Sequence, residues 1–132
     1  MTKKAKILVI DDSEVVLAQV KARLLREGYE LVTTTQTVGA ARLMLGCELV
    51  VIDYHMPGMD GAEVLASLRH AARAIGAAPL FYLYTSDPKI APLYSRHGFD
   101  GAFTAKGDHE ALVTQVAAAL RMARLKALSR RS

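Results

Sequence analysis

Three carboxylates, a hydroxyl and an ammonium each stand just behind a short apolar run in this chain. Asp11 and Asp12 follow Ile7-Leu8-Val9-Ile10, and Asp53 closes Leu49-Val50-Val51-Ile52. Thr85 follows Leu80 to Tyr84, and Lys106 follows Gly101 to Ala105. Acids gathered in one place can hold a divalent metal, and a cation and a hydroxyl beside them can hold phosphate oxygens. Gathering the acids is costly, because two carboxylates about 4 Å apart repel by roughly 4 kcal/mol at an effective dielectric near 20. Core stability gives no reason for such a cluster, so it must take up protons or a cation. Taken singly, each residue has a plainer use: Asp12 or Ser13 as the N-cap of a helix starting at Glu14, Thr85 as a turn residue, Lys106 as a solvated charge. None of these explains why Asp53 ends a second buried run, and the joint pattern favours chemistry.

The runs that deliver these groups are apolar throughout, as in strands buried on both faces of a parallel sheet. Strands are expected at residues 6–10, 29–34, 48–53, 80–84 and 101–105. Helices are expected between them at 14–27, 38–45, 62–74, 88–96 (a weaker pattern) and 108–128. Val16, Val20 and Leu24 form one inner stripe, Val64, Leu65 and Leu68 another, and Leu112, Val113, Val116 and Leu120 a third. Gly28 and Gly46 stop two of the helices, and Pro57, Gly58 and Gly61 punctuate a loop after Asp53. Five βα units in succession imply an α/β fold, a doubly wound five-stranded parallel sheet with helices on both faces. Right-handed crossovers favour the flavodoxin-like strand order 2-1-3-4-5. In that order the first and third strands are neighbours, so Asp11, Asp12 and Asp53 converge on one crevice at the carboxyl edge of the sheet.

The 132 residues, 52% of them apolar, suit one domain with a sheet covered on both sides. The domain core is expected over about 5–122, with a basic helical extension over about 123–132, and no linker or repeat is evident. Cys47 is a single cysteine before a strand, read as a small buried hydrophobe in a reducing compartment. No apolar run is long enough to span a membrane, and Met1-Thr2-Lys3-Lys4 leads straight into a strand; a cytoplasmic protein with no membrane partner is expected. No acid follows Glu110, whereas Arg121, Arg124, Lys126, Arg130 and Arg131 crowd the end. Such a tail could meet nucleic acid or an acidic partner. Cations in the last turns of a helix also suit its macrodipole, and that is the reading adopted, with no nucleic-acid partner expected.

With these residues in view, the chain resembles the receiver domain of two-component response regulators across nearly its whole length. The resemblance is carried by Ile7-Leu8-Val9-Ile10-Asp11-Asp12-Ser13, the stretch DYHMPGMDG from Asp53 to Gly61, Thr85 and Lys106. Strand order 2-1-3-4-5 is a property of that family too. The resemblance implies that Asp53 accepts a phosphoryl group from a histidine kinase or histidine phosphotransfer protein. It implies Mg²⁺ held by Asp12, Asp53 and the main-chain carbonyl of His55, with Asp11 acting through a water. Thr85 and Lys106 would bind the phosphoryl oxygens, and Thr85 and Phe103 would form the switch, the aromatic ring swinging inward. A downstream effector protein, or a second copy of the chain, would meet the face of the fourth helix, fifth strand and fifth helix.

Three positions depart from the family pattern. Gly107 stands where a cis proline is usual, and a cis bond to a non-proline costs about 2.5–4 kcal/mol, so a trans bond and a rearranged loop are expected. His55 occupies a position that tunes phosphoryl lifetime, or is a solvent-facing loop histidine. Ser86 replaces a smaller residue after Thr85. Two other classes compete with a phosphoacceptor switch. One is an aspartate-nucleophile phosphohydrolase, although such enzymes space two acids one residue apart and carry a cap, whereas Asp11 and Asp12 are adjacent. The other is a binding-only receiver-like adaptor, which Gly107 keeps open and the intact Asp53, Thr85 and Lys106 oppose.

Overall fold

The computed structural model describes residues 4–56, 59–104 and 106–131; Pro57, Gly58 and Ala105 lie outside the described residues. Five parallel strands build the main sheet: β1 (Lys6–Ile10), β2 (Glu30–Thr34), β3 (Leu49–Asp53), β6 (Leu80–Tyr84) and β7 (Gly101–Phe103). A short antiparallel pair, β4 (His55–Met56) and β5 (Met59–Asp60), follows β3. The helices are α1 (Glu14–Arg26), α2 (Ala40–Leu43), α3 (Gly61–Ala74) and α4 (His109–Arg131). The sheet runs β2-β1-β3-β6-β7, which is the expected order 2-1-3-4-5 counted over its own strands.

The alternation of side chains along each strand splits the core in two. Ile7, Val9, Leu49 and Val51 face α1 and α4, where they meet Leu17, Val20, Leu24, Leu112, Val116 and Leu120. Leu8, Ile10, Val50 and Ile52 face the other way, onto Ala40, Met44, Val64, Leu65 and Leu68. All five residues of β3 are buried, which is why Leu49 to Ile52 are apolar without alternation before Asp53. Cys47 belongs to the second layer; its thiol donates to the Leu43 carbonyl at 3.2 Å, and burial pushes its pKa up.

Two helices are shorter than the sequence suggests. Over 88–96 only a 3₁₀ turn forms, Ala91–Leu93, with the Asp87 carboxylate accepting from the Lys89 amide ahead of it. Pro92 sits in the middle of that stretch, lacks an N–H and would clash with the carbonyl four residues back, so a helix cannot continue through it. The helix expected over 38–45 shrinks to α2, because Gly39 takes a left-handed φ of 81° directly before it and leaves Val38 exposed. The last helix, by contrast, runs on to Arg131, past Leu120, its last buried residue among those described. Met122, Leu125 and Leu128 beyond that point are more than half exposed. A cross-tie fixes the two helices of the first layer: Arg23 on α1 donates Nε and Nη2 to the two carboxylate oxygens of Glu110 on α4, at 2.6 and 2.9 Å.

Candidate functional site

The carboxyl edges of β1 and β3 lie side by side, Ile10 pairing with Ile52, so the residues that follow them share one crevice. Carboxylate oxygens of Asp11, Asp12 and Asp53 all lie within 4.8 Å of one another. Asp11 and Asp53 are buried and Asp12 is exposed. Local capping explains the division of labour. Ser13, not Asp12, caps α1, its hydroxyl accepting from the Val16 amide at 3.2 Å. Asp11 Oδ1 accepts from the Ser13 amide at 2.9 Å, which fixes its orientation. Asp12 is thereby left facing the open side of the crevice.

Lys106 comes to this cluster from behind β7. Its Nζ is 2.7 Å from Asp11 Oδ2 and 3.1 Å from Asp53 Oδ1, with the lysine side chain only 20% exposed. Burial alone would lower its pKa, but the hydrogen bond to Asp11 and the charges of Asp53 and Asp11 outweigh that and leave it raised. The carboxylates therefore hold the Lys106 ammonium in its charged form. Asp11 Oδ2, buried and with no hydrogen-bond donor besides that ammonium, keeps lone pairs to offer. Oxygen-only donors from three acids, one of them open to solvent, are what a hard divalent cation such as Mg²⁺ takes while retaining waters. The residues present therefore fit that ion.

Thr85 is buried directly after β6, and its hydroxyl accepts from the Asp87 amide at 3.0 Å. Its own amide donates to the Phe103 carbonyl at 3.2 Å, which ties the ends of β6 and β7 together. Phe103 already points inward, in the layer under α4, with Tyr82 stacked on it at a centroid distance of 4.5 Å. Tyr82 can lie there because residue 101 is glycine: a Cβ at that position would come within 2.5 Å of the Tyr82 ring. Gly107 has φ of 102° and no peptide among the described residues is cis, so the loop after Lys106 takes a path closed to proline. The main chain of His55 lies in β4, two residues past Asp53; its side chain lies outside the described residues.

Sequence reasoning thus named every acid and the lysine, and the structure brings Asp11, Asp12, Asp53 and Lys106 together with Thr85 at the neighbouring strand end. It missed Tyr84. That residue pairs in register with Asp53 on one side and Phe103 on the other, and its ring lies 5.5 Å from Lys106 Nζ. The parity of β6 against β3 was the signal that could have found it.

Comparison with known proteins follows this geometry. The model of the response regulator receiver domain family matches residues 7–117. The transcriptional regulatory protein PrrA of Mycobacterium tuberculosis is 30% identical over 130 residues, covering 96% of this chain and 50% of PrrA. The alkaline phosphatase synthesis transcriptional regulatory protein PhoP of Bacillus subtilis is 35% identical over 66 residues, 48% of this chain and 28% of PhoP. The chain thus spans at most about half the length of these curated relatives. Among solved structures, the chemotaxis response regulator CheY4 of Vibrio cholerae superposes with a TM-score of 0.72 at 22% identity, over 88% of this chain and 98% of that one. NtrX of Brucella abortus gives 0.80 at 22% identity, over 95% of this chain and 28% of that one.

Proposed function

This chain belongs to the response regulator receiver domain family, and we propose that it is a phosphoacceptor switch whose acceptor is Asp53. The observation that carries the proposal is the buried Asp53 carboxylate, set among two further acids and within 3.1 Å of the Lys106 ammonium. An oxygen of Asp53 attacks the phosphorus of a phosphohistidine on a histidine kinase or histidine phosphotransfer protein. The O–P bond forms as the N–P bond breaks, and the electron pair of that bond leaves with the imidazole. Positioning and charge stabilisation do most of the work in such transfers. Lys106 is placed to hold one phosphoryl oxygen with its ammonium, and the Thr85 hydroxyl is placed to donate to another. Asp12, Asp53 and the His55 main-chain carbonyl would hold Mg²⁺, with Asp11 acting through a water. When bound, that ion neutralises charge on the transferring group. The chain does not turn over a substrate; it catalyses its own phosphorylation and slow dephosphorylation only.

Modification of Asp53 then shifts Thr85, Lys106 and Phe103, and through them the surface at β7 and α4 that an effector protein or a second copy would meet. The exposed Met122, Leu125 and Leu128 on α4 extend that surface. We place the protein in the cytoplasm; no helix among the described residues is long and apolar enough to cross a membrane.

Acetyl phosphate with Mg²⁺ tests the proposal on the parent and on Asp53→Asn. One stable, acid-labile phosphoryl group on the parent and none on the variant is expected. Undiminished labelling of Asp53→Asn overturns the assignment. Multiple turnover would mean a phosphohydrolase, and no reaction of a folded, Mg²⁺-loaded parent would mean a binding-only receiver.

A further inference from the structure

One row of side chains lines the α1/α4 side of the carboxyl edge of the sheet. Residues in register on parallel strands share a face, so Asp53, Tyr84 and Phe103 stand side by side, and Asp11 continues the row beyond Asp53. Tyr84 therefore lies between the carboxylates and the strand that Lys106 comes from. To reach Asp11 and Asp53 the lysine must pass over that ring, and its Nζ stands 5.5 Å from the ring centroid. An aromatic face within about 6 Å attracts an ammonium, more strongly when both are withdrawn from water, and Tyr84 is 1% exposed.

The hydroxyl of Tyr84 is the second observation. It is buried without a hydrogen-bond partner among the described residues, although a buried phenol usually finds one. Burial pushes its pKa up, while the amide of Gly107 pulls it the other way. Gly107 itself has φ of 102°, and nothing lies within 4 Å of where its Cβ would be, so the loop behind Lys106 has room to shift. A small displacement of that loop would give the hydroxyl its donor.

We propose that Tyr84 is a positioning residue for Lys106. Its ring holds the ammonium over the carboxylates in the resting protein, and its hydroxyl accepts the Gly107 amide once Lys106 is drawn to a phosphoryl group on Asp53. This role presupposes the phosphoacceptor reading given above. A hydrogen bond made in one state and absent in the other biases the equilibrium between them, so the hydroxyl favours the phosphorylated state. Phenylalanine at this position would keep the ring and lose the bias; leucine would lose both.

The experiment uses the full chain as parent, Tyr84→Phe and Tyr84→Leu. Without phosphodonor, ¹H–¹⁵N spectra of lysine ammonium groups report whether Lys106 is immobilised, with Lys106→Met supplying the assignment. The Lys106 signal is expected in the parent and in Tyr84→Phe, and absent in Tyr84→Leu. With Mg²⁺ and beryllofluoride, Tyr84→Phe is expected to bind the mimic about five-fold or more weakly than the parent. A persistent Lys106 signal in folded Tyr84→Leu overturns the role of the ring. Equal beryllofluoride affinity of parent and Tyr84→Phe overturns the role of the hydroxyl, and that arm stands even if Tyr84→Leu fails to fold. If the parent binds no beryllofluoride, the phosphoacceptor reading fails instead, and the ammonium spectra still decide whether the ring holds Lys106.

Discussion

Replacing Lys106 by methionine removes the one ammonium that contacts two buried acids and keeps a side chain of similar length. The contacts at 2.7 and 3.1 Å are worth about 6 and about 5 kcal/mol at an effective dielectric near 20, before desolvation is subtracted. Desolvation takes back much of that, and removing one partner of a buried pair costs about 3–5 kcal/mol in practice. For a domain of this size that lowers the melting temperature by roughly 10–20 °C in metal-free buffer. The pKa of Lys106 is raised on folding, so its contribution is complete at neutral pH and is lost only as pH rises through that raised value, above about 10.4. The variant, by contrast, should recover as pH falls and its unpaired carboxylates take up protons. Mg²⁺ should restore more stability to Lys106→Met than to the parent, because the ammonium no longer competes for Asp11 and Asp53. Calorimetric melts with and without Mg²⁺ at neutral and acidic pH measure all of this. Equal metal-free melting of parent and variant, or an equal Mg²⁺ increment in both, would refute the picture of one cation standing in for another.

The remaining predictions are narrower. Asp12→Ala should weaken Mg²⁺ binding, seen by titration calorimetry, while raising the metal-free melting temperature, since Asp12 does not cap α1 and its loss relieves repulsion from Asp11 and Asp53. Glu110→Gln should lower stability slightly at neutral pH: Arg23 holds the Glu110 carboxyl below its ordinary range, so this contribution is present above the unfolded value near 4.3 and lost as pH falls through the lowered one. Melts of parent and variant should therefore converge in acid, once the pH has fallen below that lowered value. A chain truncated after Met122 should fold, because the last buried residue of α4 among those described is Leu120, yet lose any beryllofluoride-induced self-association of the full chain in sedimentation. Identical monomeric sedimentation of both, with and without the mimic, would remove the overhang from the output face.

The fold was legible because the parallel sheet leaves its mark on composition. Ile7 to Ile10 and Leu49 to Ile52 carry no polar residue since both faces of β1 and β3 are covered, and each run stops where the sheet edge meets water. The acids at those stops were legible for the same reason. Pro92 was visible in the sequence, yet a weak helical pattern was allowed to override it, and the 3₁₀ turn is the outcome. Tyr84 was hidden differently. An aromatic residue closing a strand reads as core, which it is, and only the register with Asp53 and Phe103 shows that the core there is also the floor of the site. The Arg23–Glu110 tie joins residues 87 positions apart, and no local pattern announces a contact between charges on two separate helices.

Charge balance connects the site to the surface. Three carboxylates and one ammonium are gathered there, with a formal sum of −2, the complement of one divalent cation. A phosphoryl group on Asp53 would exchange a single negative charge for nearly two and carry them outward from the strand end. The ammonium that now divides itself between Asp11 and Asp53 would then be drawn toward the new oxygens. Lys106 lies three residues beyond Phe103, and Thr85 is bonded through its amide to the Phe103 carbonyl. As proposed phosphoryl partners, both would therefore pull on the same short strand, β7, which is an edge strand of the sheet among the described residues. Phe103 is pinned there between the layer beneath α4 and the stacked ring of Tyr82, an arrangement that allows discrete repacking and little gradual deformation. Added charge at Asp53 is thus placed to become a change of packing at β7 and α4, the face continuous with Met122, Leu125 and Leu128.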